Sequence, residues 1–343
     1  MMTLQQRINA FSALGLIMAE ATSEDPSSTE AISLRNLMDE QQQYNRWFTP
    51  ENVRLSVRAI ANMLQKDRLE RWLESYRILD NSEIKKTIAV IMAGNIPLVG
   101  FHDFLCVLIT GNKLLARTST KDTGLIMRLA DILAKIDYGF RSQINFTNKI
   151  SDNYDAVIAT GSNNTSRYFE YYFGQKPHIF RKNRNSVALL TRDTDEKDLE
   201  ALAYDIFTYF GLGCRNVSKI YLEEGINPES IYASWAHWAH ILNHPPYANN
   251  YLYNKSLFNI NRQSYLDNGF LLLTRSESIA SPVSVVFYDF FGSREGLMSE
   301  LKLHSENIQC IVSENHTRFG QTQYPDPNDY ADNTDTIEFI TSL

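Results

Sequence analysis

Short apolar runs alternating with helical stretches govern what this 343-residue chain can become. The first is KKTIAVIMAG (residues 85–94), a continuous apolar run of the kind buried on both faces of a parallel sheet. The turn Gly94-Asn95-Ile96-Pro97 follows it. The pattern then predicts a helix over 104–109, a strand over 113–117, a helix over 123–136, a strand over 155–160 and a helix over 165–173. Strands separated by helices of this length need crossover connections, so they form a mostly parallel α/β sheet.

A second series starts near residue 185. SVALL reads as a strand, DEKDLEALAYDIFTYF as an amphipathic helix and NVSKIYL as a strand. A helix over 228–242, strands over 269–273 and 283–288, a helix over 296–303 and the strand NIQCIVS complete it. Ahead of both series, residues 1–80 read as helices. Ile8, Phe11, Leu14, Ile17 and Met18 recur at helical spacing, and Thr49-Pro50-Glu51 is a helix start. These breaks divide the chain at 1–184, 185–315 and 316–343. The last 22 residues hold Asp326, Asp329, Asp332, Asp335 and Glu338 and no Lys or Arg.

Composition narrows the function. With 33 Lys+Arg against 40 Asp+Glu, the net charge is −7, so no global basic footprint invites nucleic acid. No apolar run approaches the roughly 18 residues of a membrane helix, and the start lacks a signal peptide, so a cytoplasmic protein without stable membrane insertion is expected. The three cysteines, Cys106, Cys214 and Cys310, form no CxxC pair. Cys106 lies in FLCVLI and Cys310 in IQCIV, both core patterns. Cys214 instead follows Gly211-Leu212-Gly213 between a helix and a strand, where a thiolate is accessible and a nearby Arg215 would lower its pKa. A small buried residue is the alternative.

Three further strand ends hold candidates, since ligands of parallel sheets bind at the carboxyl ends of strands. Asn95 offers an amide to a developing oxyanion, or simply makes a turn with Gly94. Gly161-Ser162 opens a helix, where N–H groups and the dipole favour phosphate, or where Ser162 is a cap. Arg117, Thr118, Ser119 and Lys121 suit ribose and phosphate, or a solvated loop. His240 and His244 stand at the spacing of a metal pair, with His237 nearby, but without an HExxH motif ordinary helix surface is the better reading. His102 and Asp103 would line the Asn95 region or sit at a helix start.

The order of these segments resembles the aldehyde dehydrogenase superfamily. AGNIPLVGFHDFLCVLITGNKLLARTS is similar to its Asn-x-Pro turn, helix, Ala-Gly-Asn strand and Lys-Pro-Ser loop. ATGSNNTSRYFEYYF resembles its Thr-Gly-Ser helix start, and SVALLTRDTDEKDLEALAYDIFTYFGLGCRNVSKIYL the segment carrying its nucleophilic cysteine. The ending RFGQTQYPDPNDYADNTDTIEFI and the lack of the usual glutamate resemble one branch, the acyl-CoA reductases (LuxC-like fatty-acyl reductases). The resemblance covers roughly residues 85–340.

The resemblance implies an aldehyde-dehydrogenase-like α/β fold. Residues 1–184 would comprise the N-terminal helices and a Rossmann-type NAD(P) domain, 185–315 the catalytic domain, and 316–343 a tail serving as an oligomerisation arm. It implies Cys214 as the nucleophile that forms a thioester and Asn95 as an oxyanion donor. Gly161 and Ser162 match the cofactor helix start, and Arg117, Thr118 and Ser119 the loop that holds the adenosine ribose. Arg117-Thr118 in place of Lys-Pro favours NADPH over NADH, because a guanidinium grips a phosphate at two points. Where the superfamily keeps a general-base glutamate, residues 177–184 hold no carboxylate. Lys176, Arg181, Lys182 and Arg184 make this stretch basic, so it contacts coenzyme A or nucleotide phosphates or forms a solvated loop. The superfamily's second glutamate would fall at Ser278, with Glu277 one place away. The implied reaction is NAD(P)H-dependent reduction of an acyl-CoA to an aldehyde, with coenzyme A leaving, in a homo-oligomer supplied by an acyl-activating partner enzyme. Reduction of another activated acyl group, such as an acyl phosphate, and a non-catalytic relative of the fold are the alternatives.

Overall fold

The apolar run at 85–94 forms β1 (Thr87–Ile91), the middle strand of a five-stranded parallel sheet. The computed structural model describes residues 2–76, 85–151, 153–231 and 233–343. Two units divide the chain: Met1–Asn183 with Tyr324–Leu343, and Arg184–Gln323. The helical reading of 77–80 lies outside the described residues.

In the first unit β2 (Lys113–Arg117), β3 (Ile144–Phe146), β4 (Ala156–Thr160) and β5 (His178–Arg181) complete the sheet in the order β3-β2-β1-β4-β5. Because side chains alternate across a strand, β1 feeds two cores. Ile88 and Val90 join one cluster, Ala89 and Ile91 another. β4 divides likewise, Ala156 and Ile158 against Val157 and Ala159. The first cluster includes apolar residues of α1 (Leu4–Ala21), α2 (Thr29–Tyr44), α3 (Pro50–Met63), α4 (Lys66–Leu73), α5 (Phe101–Ile109) and α6 (Gly124–Ile136). The second includes Phe169 of α7 (Asn163–Phe173). Each large apolar side chain so buried contributes about 1.5–3 kcal/mol.

The helix boundaries follow local chemistry. Thr3 and Gln6 form a reciprocal capping box at α1, and Thr49 caps α3 with Pro50 in its first turn. Ile8, Phe11, Leu14 and Met18 are the buried stripe of α1, as their spacing predicts.

The second unit carries β6 (Asn185–Leu190), α8 (Glu196–Phe207), β7 (Val217–Glu223), α9 (Pro245–Ile260), β8 (Leu266–Asp267), β9 (Leu272–Arg275), β10 (Val285–Phe291), α10 (Arg294–Leu303) and β11 (Ile308–Val312). The sheet order is β11-β6-β7-β10-β9-β8, parallel except where β8 meets β9. The short α11 (Thr336–Thr341) returns to the first unit, where Ile337 and Ile340 join the α5 core and Trp72 Nε1 donates to Tyr330 OH at 2.8 Å.

Three readings need correction. In place of the helix expected over 228–242 stand 3₁₀ turns at Pro228–Ile231 and Ala233–Asn243, and the α-helix begins at Pro245. The Pro245-Pro246 pair starts that helix, since proline fits a first turn whose N–H groups lack partners. The strand expected at 269–273 starts at Leu272, because Asn268 Oδ1 accepts from Phe270 N and Leu271 N and turns the chain there. Residues 178–181, read as part of a loop or phosphate-contacting stretch, are the edge strand β5.

Candidate active site

Three of the sequence-predicted segments come together in the first unit. The chain leaves β1 for β2 on one side and later crosses to β4 on the other, so the sheet order reverses between β1 and β4. At such a switch point the carboxyl ends of two neighbouring strands open a crevice for ligand. The turn with Asn95 follows β1, the Arg117–Ser119 loop follows β2, and Gly161-Ser162 follows β4. All lie at one end of the sheet.

The Asn95 turn is held from below. Asn45 Nδ2 donates to Gly94 O at 3.4 Å and Ser56 Oγ to Pro97 O at 2.7 Å. Leu98 has φ 58°, a left-handed conformation that is costly for a branched side chain, and its N–H donates to Asp122 Oδ2 at 2.7 Å. Asn95 itself is exposed. Gly94 is required here: a Cβ would stand 2.5 Å from Ser119 Oγ, so the turn packs directly on the Arg117–Ser119 loop. That loop is closed by Thr123 Oγ1 donating to Ser119 O at 2.8 Å, and Arg117 is exposed.

Ser162 caps α7, accepting from Thr165 N at 3.4 Å. Gly161 N donates to Arg181 O at 3.2 Å, and a Cβ on Gly161 would meet Thr165 Oγ1 at 2.7 Å. The capping and the phosphate readings of this segment thus share one geometry, a serine on the helix end with backbone packed close.

Cys214 belongs to the second unit. It lies between α8 and β7 and is partly exposed, whereas Cys106 and Cys310 are buried. Burial pushes the Cys106 thiol well above its ordinary pKa. The loop before Cys214 is unusual: Tyr209, Phe210 and Gly211 have φ of 53°, 58° and 76°. Phe210 stacks on His244 at 4.1 Å between ring centres. Ser186 Oγ donates to Cys214 O at 3.0 Å and accepts from Cys310 N at 3.1 Å. Arg215 Nη1 donates to Cys310 Sγ at 3.3 Å, so this guanidinium reaches the sulfur of a buried cysteine of β11.

The other candidates take structural places. Asp103 pairs with Arg181, both buried, and His102 Nε2 lies 2.8 Å from Pro327 O. Arg181 therefore meets a buried carboxylate rather than solvent. His240 sits in a 3₁₀ turn and His244 at the N-cap of α9, which removes the shared helix face their spacing suggested. Burial lowers the pKa of His244. Glu277 is exposed, and its carbonyl accepts from the buried Lys219 Nζ at 3.0 Å.

Sequence reasoning missed Asp122, Asp205, Asn216 and Ser186. Asp122 precedes a helix and resembles a cap, but its carboxyl turns inward; burial pushes it up to about 7 against the Leu98 N–H, which opposes the shift. Asp205 sits inside α8, fully buried, where burial pushes it up to about 6 against donors from Gly320 and Thr322. Asn216 is a lone Asn just before a strand, and nothing local in the sequence marks it.

The family described as Acyl-CoA reductase (LuxC) matches residues 28–237, more than half of the chain and a span holding Asn95, Arg117, Gly161 and Cys214. No curated protein matches. Among solved structures, an aldehyde dehydrogenase from Brucella melitensis biovar abortus has 12% identity and TM-score 0.64, over 92% of this chain and 73% of that one. The NAD-dependent aldehyde dehydrogenase from Sinorhizobium meliloti has 13% identity and TM-score 0.63, over 94% and 72%. The indole-3-acetaldehyde dehydrogenase from P. syringae has 14% identity and TM-score 0.63, over 87% and 69%. These likenesses show the fold, and they bear out the one expected from the motifs. Among the described residues no helix is long and apolar enough to cross a membrane. The chain belongs to the acyl-CoA reductase (LuxC) family, oxidoreductases of the aldehyde and oxo group, on an aldehyde-dehydrogenase-like α/β fold.

Proposed function

We propose that the protein reduces a fatty-acyl-CoA thioester to the aldehyde with NADPH or NADH, through a covalent thioester on Cys214. The observation that carries this reading is the contrast among the three cysteines. Cys214 is partly exposed on a loop tied down at both ends, while the other two are core residues. A nucleophile needs that combination of access and fixed position.

A nicotinamide nucleotide fits the first unit. The switch-point crevice between β1 and β4, the Ser162-capped start of an 11-residue helix and the exposed Arg117 are what a dinucleotide needs. The descriptions of the S. meliloti enzyme as NAD-dependent and of the P. syringae enzyme as an NAD+ complex support the same class. Arg117, Thr118 and Ser119 would hold the ribose and its phosphate, and Gly161 and Ser162 the diphosphate. Bound there, the reduced nicotinamide supplies a hydride.

The residues' roles follow. Cys214 Sγ attacks the acyl carbonyl, the carbon–sulfur bond to coenzyme A breaks, and coenzyme A leaves as the thiolate. Asn95 is assigned the oxyanion-donor role by the resemblance. Residues 177–184 offer no carboxylate to activate water, so hydrolysis of the acyl-enzyme is slow and the thioester persists until reduced. Once the carbonyl carbon is reduced, the aldehyde leaves and Cys214 regains its thiolate. A cytoplasmic homo-oligomer supplied by an acyl-activating enzyme belongs to the same proposal, supported by the resemblance. The test is to follow NADPH and NADH absorbance with a panel of acyl-CoAs: consumption that depends on acyl-CoA is expected, and none with any member would end the proposal.

A further inference from the structure

We infer that Asn216 is the positioning residue of the nucleophile, its buried carboxamide joining the end of α8 to the peptide preceding Cys214. This rests on the reading of Cys214 as the nucleophile.

The last carbonyls of a helix lack intrahelical partners. At the end of α8, Asn216 Nδ2 donates to Thr208 O at 2.8 Å and to Asp205 O at 3.0 Å. On its other side, Asn216 Oδ1 accepts from Gly213 N at 2.8 Å, and Asn216 N donates to Gly213 O at 3.0 Å. The amide's orientation is fixed by its partners, nitrogen toward carbonyls and oxygen toward an N–H. With 2% of the residue exposed, water does not compete for these bonds.

The span that Asn216 closes contains the left-handed run. Tyr209 and Phe210 adopt φ/ψ near 53°/24° and 58°/25°, a region that L-residues avoid and that persists only when surroundings impose it. Asn216 fixes both ends of that run, at Thr208 and at Gly213. Below it, Asp205 is anchored in turn. Its carboxylate accepts from Gly320 N at 2.7 Å, Thr322 N at 3.0 Å and Thr322 Oγ1 at 2.8 Å. The side chain of Asp205 thus holds α8 to the 320–322 segment while its carbonyl receives Asn216. On the far side, Ser186 N donates to Asn216 O at 3.1 Å, fastening the residue to β6. Cys214 sits inside this closed ring, one peptide from Gly213. Releasing the carboxamide leaves the fold's strands in place and frees the nucleophile loop to relax.

The experiment compares acylation of Cys214 in the full chain, Asn216→Ala and Asn216→Asp, using myristoyl-CoA without reduced nicotinamide and reading coenzyme A release in a single turnover. Asn216→Asp keeps the acceptor for Gly213 N and replaces the donor to Asp205 and Thr208. A misplaced reacting group costs about 10²-fold, so Asn216→Ala is expected to slow acylation by about that factor with the acyl-CoA concentration for half-maximal rate unchanged, and Asn216→Asp to lie between. Hydrogen exchange of the unsubstituted chain supplies a reading that needs no variant: the Gly213 amide is expected to be protected like the strands. Acylation at the full rate in folded Asn216→Ala, or exchange of Gly213 at open-loop rates, overturns the inference. If the unsubstituted chain releases no coenzyme A, the nucleophile reading fails and takes this role with it; if the unsubstituted chain and Asn216→Ala acylate equally, this inference alone fails.

Discussion

Arg181 of β5 and Asp103 of α5 form a two-point ion pair in the core of the first unit, Nη2 to Oδ1 at 2.7 Å and Nε to Oδ2 at 3.3 Å, with 4% and 7% of their side chains exposed. The remaining guanidinium donors reach Ala331 O at 2.7 Å and Thr336 Oγ1 at 2.8 Å. One buried cation therefore binds the sheet edge, a core helix and the C-terminal segment. Removing one partner strands the other, which typically costs about 3–5 kcal/mol. Asp103→Asn is expected to lower the urea unfolding free energy by that order and to speed proteolysis within 324–343. A loss of less than about 1 kcal/mol, the worth of an exposed pair, would contradict the burial.

Asp122 predicts a pH dependence. Its carboxyl moves from an ordinary 3.8 to about 7, because burial disfavours the charge. Between those values the folded chain keeps a proton that the unfolded chain has released, so this group's contribution to stability falls as pH rises from about 4 to about 7. Asn keeps an acceptor for Leu98 N and carries no charge. Asp122→Asn is therefore expected to raise Tm at pH 8 by several degrees and to change it little at pH 5. An equal shift at both pH values would show that Asp122 is not a buried acid.

Arg117 predicts cofactor preference. Exposed at the end of β2, its guanidinium suits a ribose phosphate. Arg117→Gln is expected to weaken NADPH binding by about tenfold and NADH binding much less, each measured by fluorescence titration. Equal losses for both nucleotides would remove Arg117 from phosphate recognition.

Asn95 predicts a turnover effect. Loss of one oxyanion donor usually lowers kcat by about 10²–10³. Asn95→Ala is expected to fall in that range with KM for acyl-CoA little changed, and full turnover would return Asn95 to the role of a turn residue.

Much of this architecture was legible in the chain. The apolar stretches IAVI of β1, LLA of β2, AVIA of β4 and VALL of β6 read as strands, and their alternation with helices predicts parallel sheets. The strand-end rule also predicts that the Asn95 turn, the Arg117–Ser119 loop and Gly161-Ser162 share one end of a sheet. Shorter or more polar strands escaped: β3 is three residues long, and β5 reads HIFR, where the arginine resembles a surface charge. Its partner Asp103 lies 78 residues away, a separation that no local pattern connects. The positive φ of Tyr209 and Phe210 was equally hidden, because aromatic residues carry no preference for that region and only the closed loop imposes it. The buried amide of Asn216 belongs with these, since a lone Asn before a strand has many ordinary uses.

In the proposed reaction Cys214 carries the acyl group. Intact and peptide mass spectrometry of the chain mixed with a fatty-acyl-CoA, without reduced nicotinamide, tests it most directly. The expected result is the gain of one acyl group mapped to Cys214 and its absence in Cys214→Ala, which still binds NADPH. An unmodified Cys214, or an acyl group found on another residue, would contradict it.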